Sequence, residues 1–107
     1  MKRRLPEPRE SADDLDALAD ALRALESSAQ VRAFLLDLCT PAELEAMTDR
    51  WRVVPLLLER VPYREIHVRT KVSVTTIGRV ARAIDHGSGG YAAAIRHSHP
   101  ELHPGED

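Results

Sequence analysis

Apolar residues recur at helical spacing through the first third of the chain. Leucines at i, i+3 and i+7 within residues 15–25 follow Ser11 and two aspartates, which predicts an amphipathic helix with a narrow leucine stripe. Ser27 and Gln30 stand at capping-box spacing before a second apolar run at residues 31–38. These patterns predict two successive helices.

The next helix start has three signals together. Thr40 supplies a capping hydroxyl, Pro41 suits the first helical position, and Glu43 can reach back to the cap amide. Apolar residues then step by three and four, the spacing with which helices pack side by side. Pro55 lies inside this run and lacks the amide that would bond the carbonyl of Trp51, so we expect a kink there.

Three helices with narrow apolar stripes leave a small core for one chain of this length. Because a small core is readily completed by a second subunit, the sequence predicts a homodimer. The alternative is a monomer whose helices pack on one another.

Residues 62–86 have the length pattern of a helix-turn-helix. Residues 63–69 can form a two-turn helix, and a three-residue turn then leads to a new N-cap at Ser73. The longer second helix is predicted to run to about His86. Gly87 is expected to end it in a left-handed conformation.

The second helix of this motif has two contrasting faces. At about 100° per residue, one side is apolar and the opposite side is rich in hydrogen-bond donors. A recognition helix needs this arrangement, because its outer side enters the major groove of DNA. The predicted DNA-contacting residues are Arg64, His67, Ser73, Val74, Thr75, Thr76, Arg79 and Arg82.

The formal net charge of −2 hides a strong segregation of charge. Residues 50–96 carry nine Arg or Lys against three Asp or Glu, whereas the sequence on either side of them is net acidic. A basic segment of this kind favours a polyanion such as double-stranded DNA. The alternative function is a helical protein-interaction module whose basic face docks an acidic partner, without specific DNA binding.

Length and composition predict one all-α domain at residues 11–96, between a flexible arm at 1–10 and a disordered acidic tail at 97–107. Aromatic residues make up only 4% of the 107 residues, so the core is expected to be aliphatic. The single cysteine, Cys39, and an N-terminus without an apolar run predict a cytoplasmic protein with no disulfide framework and no membrane anchor.

Three other features could suggest a metal site, a phosphate site or a reactive thiol, but each has a simpler structural interpretation. The spacing of His97, His99 and His103 could suit zinc or nickel, but an acidic segment without a scaffold favours a solvated tail. The loop at 87–90 resembles a phosphate-binding loop but lacks the following Lys-Ser/Thr, which favours a helix cap and flexible joint. Cys39 is interpreted as a small buried hydrophobe. The sequence therefore predicts neither a metal site nor an enzyme.

Four blocks of residues carry a family resemblance: LCTPAELEAM at 38–47, RWR at 50–52, YREI at 63–66 and TTIGRV at 75–80. Together they resemble the tryptophan repressor superfamily, and DHGSGGY at 85–91 is similar to its YerC/YecD-like branch. The resemblance implies an intertwined all-α homodimer that binds operator DNA as a transcriptional regulator, acting as a repressor at the bacterial nucleoid.

The resemblance also implies a small-ligand site. In the family, an indole ligand lies between two arginines near a threonine, and the matching residues here are Arg50, Arg79 and Thr40. Val80 and Ala83 stand where the family has a glycine and a serine, which disfavours tryptophan as the co-repressor. An empty pocket, a different ligand and ligand-independent DNA binding all stay open.

Two further departures fall near the predicted turn. Lys71 stands where glycine is common, which costs on the order of 1 kcal/mol if its φ is positive. His67 replaces the usual small residue. Both are expected to loosen the helix-turn-helix without abolishing it.

Overall fold

The computed structural model describes the backbone of residues 8–101 and the side chains from residue 12 onward. Over that range the chain is all-α, with seven helices and no strand. It divides into two compact units, one ending at Pro41 and the other beginning at Ala42. Within the described range, no helix has both the length and the apolar character needed to span a bilayer.

The first unit contains α1 (Pro8–Arg23) and α2 (Ser28–Leu38). α1 begins three residues before the predicted start at Ser11, and proline is well tolerated in the first turn of a helix. The rest of the predicted arm, residues 1–7, lies outside the described residues, as do residues 102–107 of the predicted tail. The domain boundaries therefore stay predictions.

The predicted cap of α2 is present in modified form. The Ser27 hydroxyl accepts from the backbone amide of Gln30 at 3.1 Å, as a capping box requires. The Gln30 side chain accepts from the amide of Glu26 at 2.7 Å, one residue before its usual partner. Two otherwise unpaired amides are thereby satisfied at the start of the helix.

The second unit opens with α3 (Pro41–Arg52), which begins at the predicted residue, and α4 (Val54–Leu58). The helical run is interrupted at Val53, two residues before Pro55, although Val53 keeps right-handed helical angles of φ −84° and ψ −12°. Proline cannot donate to the carbonyl four residues earlier, and its ring crowds that carbonyl. Pro55 instead lies in the first turn of α4, where no such bond is needed.

α4 ends in a Schellman motif built on a residue other than glycine. Arg60 has φ 63°, in the left-handed region. The amide of Val61 donates to the carbonyl of Leu56 and the amide of Arg60 to that of Leu57, both at 3.0 Å. The motif ends α4 three residues before α5 begins.

Three more helices complete the fold: α5 (Tyr63–Thr70), α6 (Val74–His86) and α7 (Gly90–Ser98). The first two confirm the predicted helix pair to within a residue at each end. Helices α4 to α7 pack on one another. Their buried core is aliphatic, as predicted, and consists of Val53, Val54, Ile66, Val72, Ile77, Val80 and Ile95.

The expected left-handed cap at Gly87 is wrong. Gly87 has φ −88° and ψ −154°, which is extended backbone. A Cβ atom there would lie 2.4 Å from the carbonyl oxygen of Ala83, so glycine is required by close approach to the last turn of α6. The left-handed glycine is Gly89, with φ 93°, immediately before α7.

Candidate nucleic-acid interface

The turn between α5 and α6 contains a backbone conformation that disfavours side chains. Lys71 has φ 67° and ψ 6°, so the positive φ considered from the sequence is present. Its amide donates to the carbonyl of His67 at 2.7 Å, which closes the end of α5. The turn thus carries the strain expected of a non-glycine residue in this region.

The buried hydroxyl of Thr70 forms two hydrogen bonds to the backbone at the turn. Thr70 is 9% exposed, and its Oγ1 atom donates to the carbonyl of Ile66 at 2.7 Å. The same oxygen accepts from the amide of Val72 at 3.1 Å. Because both functions of the hydroxyl are used, its burial leaves no unsatisfied polar atom.

Two longer side chains hold the turn's carbonyls. The guanidinium of Arg52, at the end of α3, donates to the carbonyl of Thr70. The Nδ1 atom of His67 lies 2.7 Å from the carbonyl oxygen of Val72. A carbonyl oxygen only accepts, so Nδ1 carries the proton in this bond. His67 therefore bridges the turn.

The start of α6 is capped by hydroxyls that the sequence predicted as DNA contacts. Ser73 Oγ accepts from the amide of Thr76 at 3.1 Å and donates to Thr76 Oγ1 at the same distance. These bonds fix the first turn of α6 and orient both hydroxyls. Ser73 remains exposed, and Thr76 is half-buried.

The two faces of α6 are confirmed. Ile77 and Val80 are buried in the core, whereas Thr75, Arg79 and Arg82 are exposed on the opposite side. Nearby, Val74 is 49% exposed. Arg64, in the first turn of α5, is also exposed.

The cations of this surface have no acidic partner within the described residues. Ion pairs there join Arg52 to Asp49 at 3.8 Å and Arg69 to Glu65 on α5. None involves Arg64, Arg79 or Arg82. Their guanidinium groups are therefore available for phosphates or for the edges of bases.

Two of the predicted ligand residues, Arg50 and Arg79, lie in the second unit. An open hollow of about 550 Å³ is lined by Trp51, Ala83, Gly87, Ser88, Gly90, Tyr91 and Ala94. Arg50 and Arg79 are exposed and do not line it. Thr40 belongs to the first unit, next to the start of α3. Val80 packs in the core and does not line the hollow.

One wall of the hollow is aromatic. The rings of Trp51 and Tyr91 are nearly parallel, at 12°, with centroids 6.4 Å apart. The imidazole of His99 lies 6.1 Å from the Trp51 ring, so this residue packs against the fold instead of lying in a solvated tail. His103 lies outside the described residues, and among the residues that the structure describes there is no cluster of three or more metal-ligating side chains.

Sequence reasoning missed the contributions of Arg52 and Thr70. Arg52 was counted as one charge of the basic segment and as part of the RWR block, whereas the carbonyl it binds lies 18 residues away along the chain. Thr70 had one local signal, since a threonine in the last turn of a helix can bond to the carbonyl four residues earlier. No comparable signal existed for Arg52, because its partner depends on how α3 meets α5.

Comparison with known proteins agrees with this arrangement. The family model described as Trp repressor protein matches residues 13–99. A curated relative, named as uncharacterized protein YerC of Bacillus subtilis strain 168, is 32% identical over 82 residues, covering 77% of this chain and 79% of the relative. No solved structure matches.

Proposed function

Because the chain belongs to the Trp repressor family, we propose that it is a sequence-specific DNA-binding transcriptional regulator, a repressor, that acts as a homodimer. The observation that carries this proposal is the outer face of α6. It presents Thr75, Arg79 and Arg82 to solvent, while Ile77 and Val80 anchor the opposite face in the core.

In this proposal α6 lies in the major groove of double-stranded DNA. Arginines reach guanine O6 and N7 or backbone phosphates, and short side chains at the start of the helix contact bases. Val74 and the Thr75 methyl group suit the C5-methyl of thymine, because an exposed apolar group gains by burial against another. Arg64, on α5, is proposed to hold phosphate or a flanking base.

The exposed apolar residues of the first three helices support a dimer. No described side chain between residues 12 and 52 is fully buried. Leu15 is 66% exposed and Leu36 50%. Such surface is stabilised when a second copy covers it. A two-fold pair would present two α6 helices about 34 Å apart, one turn of B-DNA, which matches a palindromic operator.

No role is proposed for tryptophan as a ligand. Ala83 lines the hollow and offers no hydroxyl to a bound molecule. The proposed DNA binding rests on α5, α6 and the turn between them, and none of the contacts described for that motif involves the hollow.

The proposal is tested by selecting duplexes from a randomised pool with the wild-type protein and measuring affinity by gel shift. Arg82→Ala is expected to weaken binding of the selected duplex by about tenfold or more, as expected for loss of one base or phosphate contact. The matched control is Arg96→Ala, an exposed arginine in the same basic segment.

Salt dependence separates this proposal from an acidic-protein module. Binding of duplex DNA is expected to weaken steeply as salt rises, because phosphate contacts release counterions. Absence of any selected sequence, or unchanged affinity of Arg82→Ala on every duplex, would refute the proposed interface.

A further inference from the structure

The three peptide groups of the α5–α6 turn are each held by a specific bond. In the group joining residues 70 and 71, the carbonyl accepts from Arg52 and the amide donates to the carbonyl of His67. In the next group, the amide donates to the hydroxyl of Thr70. In the third, the carbonyl of Val72 faces Nδ1 of His67.

Two of these bonds come from side chains that a regular helix-turn-helix does not require. Arg52 reaches the turn from α3, and His67 reaches it across the turn from α5. They bind carbonyls on either side of Lys71, whose positive φ stores strain. A strained hinge between two helices is free to relax unless its neighbours restrain it.

We propose that His67 and Arg52 are positioning residues that set the orientation of α6 for DNA reading from within the chain. This inference rests on the proposed DNA-binding function. It changes the role predicted for His67 from the sequence, which was a contact with phosphate or base. In this role His67 affects DNA binding indirectly, by holding the carbonyl of Val72. The Val72 side chain is buried in the core, with 4% exposure.

The chemistry of the bond provides a discriminating substitution. In asparagine, the Nδ2 atom stands as many bonds from the backbone as Nδ1 does in histidine and is also a donor. His67→Asn can therefore keep the bond to Val72 while removing Nε2, the ring nitrogen available to DNA. His67→Ala removes both. A positioning role predicts that asparagine rescues, whereas a contact role predicts that it does not.

The experiment compares His67→Ala, His67→Asn and Arg52→Gln with wild type on two duplexes, the one selected by wild type and a scrambled version of it. Arg96→Gln controls for the loss of one positive charge. Affinities are measured at a temperature where urea curves show each variant folded. Amide hydrogen exchange is followed at Lys71 and Val72, with Val80 in the core of α6 as reference.

We expect His67→Ala and Arg52→Gln to lose about tenfold in affinity for the selected duplex, with faster exchange at Lys71 and Val72 and unchanged exchange at Val80. On the scrambled duplex, Arg52→Gln should bind as tightly as Arg96→Gln, and His67→Ala should bind as tightly as wild type. His67→Asn should stay within about threefold of wild type on both duplexes.

Two outcomes overturn the positioning role. One is that His67→Asn loses as much affinity as His67→Ala, which assigns His67 to direct contact. The other is that exchange at Lys71 and Val72 is unchanged in both His67→Ala and Arg52→Gln. If the wild-type protein selects no duplex, the proposed function fails and the positioning role fails with it, whereas the exchange data still report whether the two side chains hold the turn.

Discussion

The left-handed residue between α5 and α6 makes a quantitative prediction about stability. An L-residue at the φ of Lys71 costs about 1–2 kcal/mol relative to glycine. About 0.5–1 kcal/mol of this advantage is offset, because a glycine raises the conformational entropy of the unfolded chain. We therefore expect Lys71→Gly to be more stable than Lys71→Ala by about 0.5–1 kcal/mol. Comparing two variants that both lack the lysine side chain isolates the backbone term.

The assay is urea unfolding of both variants at one fixed protein concentration, since association would add to the apparent stability. Val68, which is 61% exposed in the middle of α5, gives a matched control of opposite sign. There Val68→Gly should be less stable than Val68→Ala by about 1 kcal/mol. The reasoning is refuted if Lys71→Ala is as stable as Lys71→Gly while the Val68 pair behaves as expected.

Three further outcomes are expected. Gly87→Ala should destabilise by about 1–3 kcal/mol in thermal or urea unfolding, because its Cβ would meet the Ala83 carbonyl, whereas Gly90→Ala has open space and should be close to neutral. Ser73→Ala should lower stability by about 1 kcal/mol through loss of the cap on the Thr76 amide, and an unchanged unfolding curve would contradict that role. Sedimentation equilibrium should give twice the mass of one chain at micromolar concentration, and a monomer there would contradict the dimer.

The positions of the helices follow from local signals. The start of α3 falls at a proline, which suits the first position of a helix, and the cap of α6 at Ser73 depends on a contact between residues three apart. The same holds for the two faces of α6, since residues on one side of a helix share a 3.6-residue period. These features could be predicted because the interacting groups lie within one helical turn of each other along the chain.

Proline and glycine positions show where local reasoning fails. Pro55 was correctly identified as incompatible with a continuous helix, but its local effect does not determine whether the helix bends or ends. Gly87 was correctly placed at the end of α6, yet the reason for glycine there is a close approach to Ala83 and not a left-handed backbone. In both cases the residue type restricts the backbone without selecting one path through the allowed conformations.

The amino-acid sequence alone determines the helical elements, their apolar faces, the concentration of positive charge around α5 and α6, and the resemblance to the repressor family. The tertiary structure decides which groups meet across the turn: Arg52 with the carbonyl of Thr70, and His67 with that of Val72. It also places Trp51 beside Tyr91, forty residues away along the chain in a different helix. Such contacts depend on the path and packing of whole helices, which no local period or cap specifies.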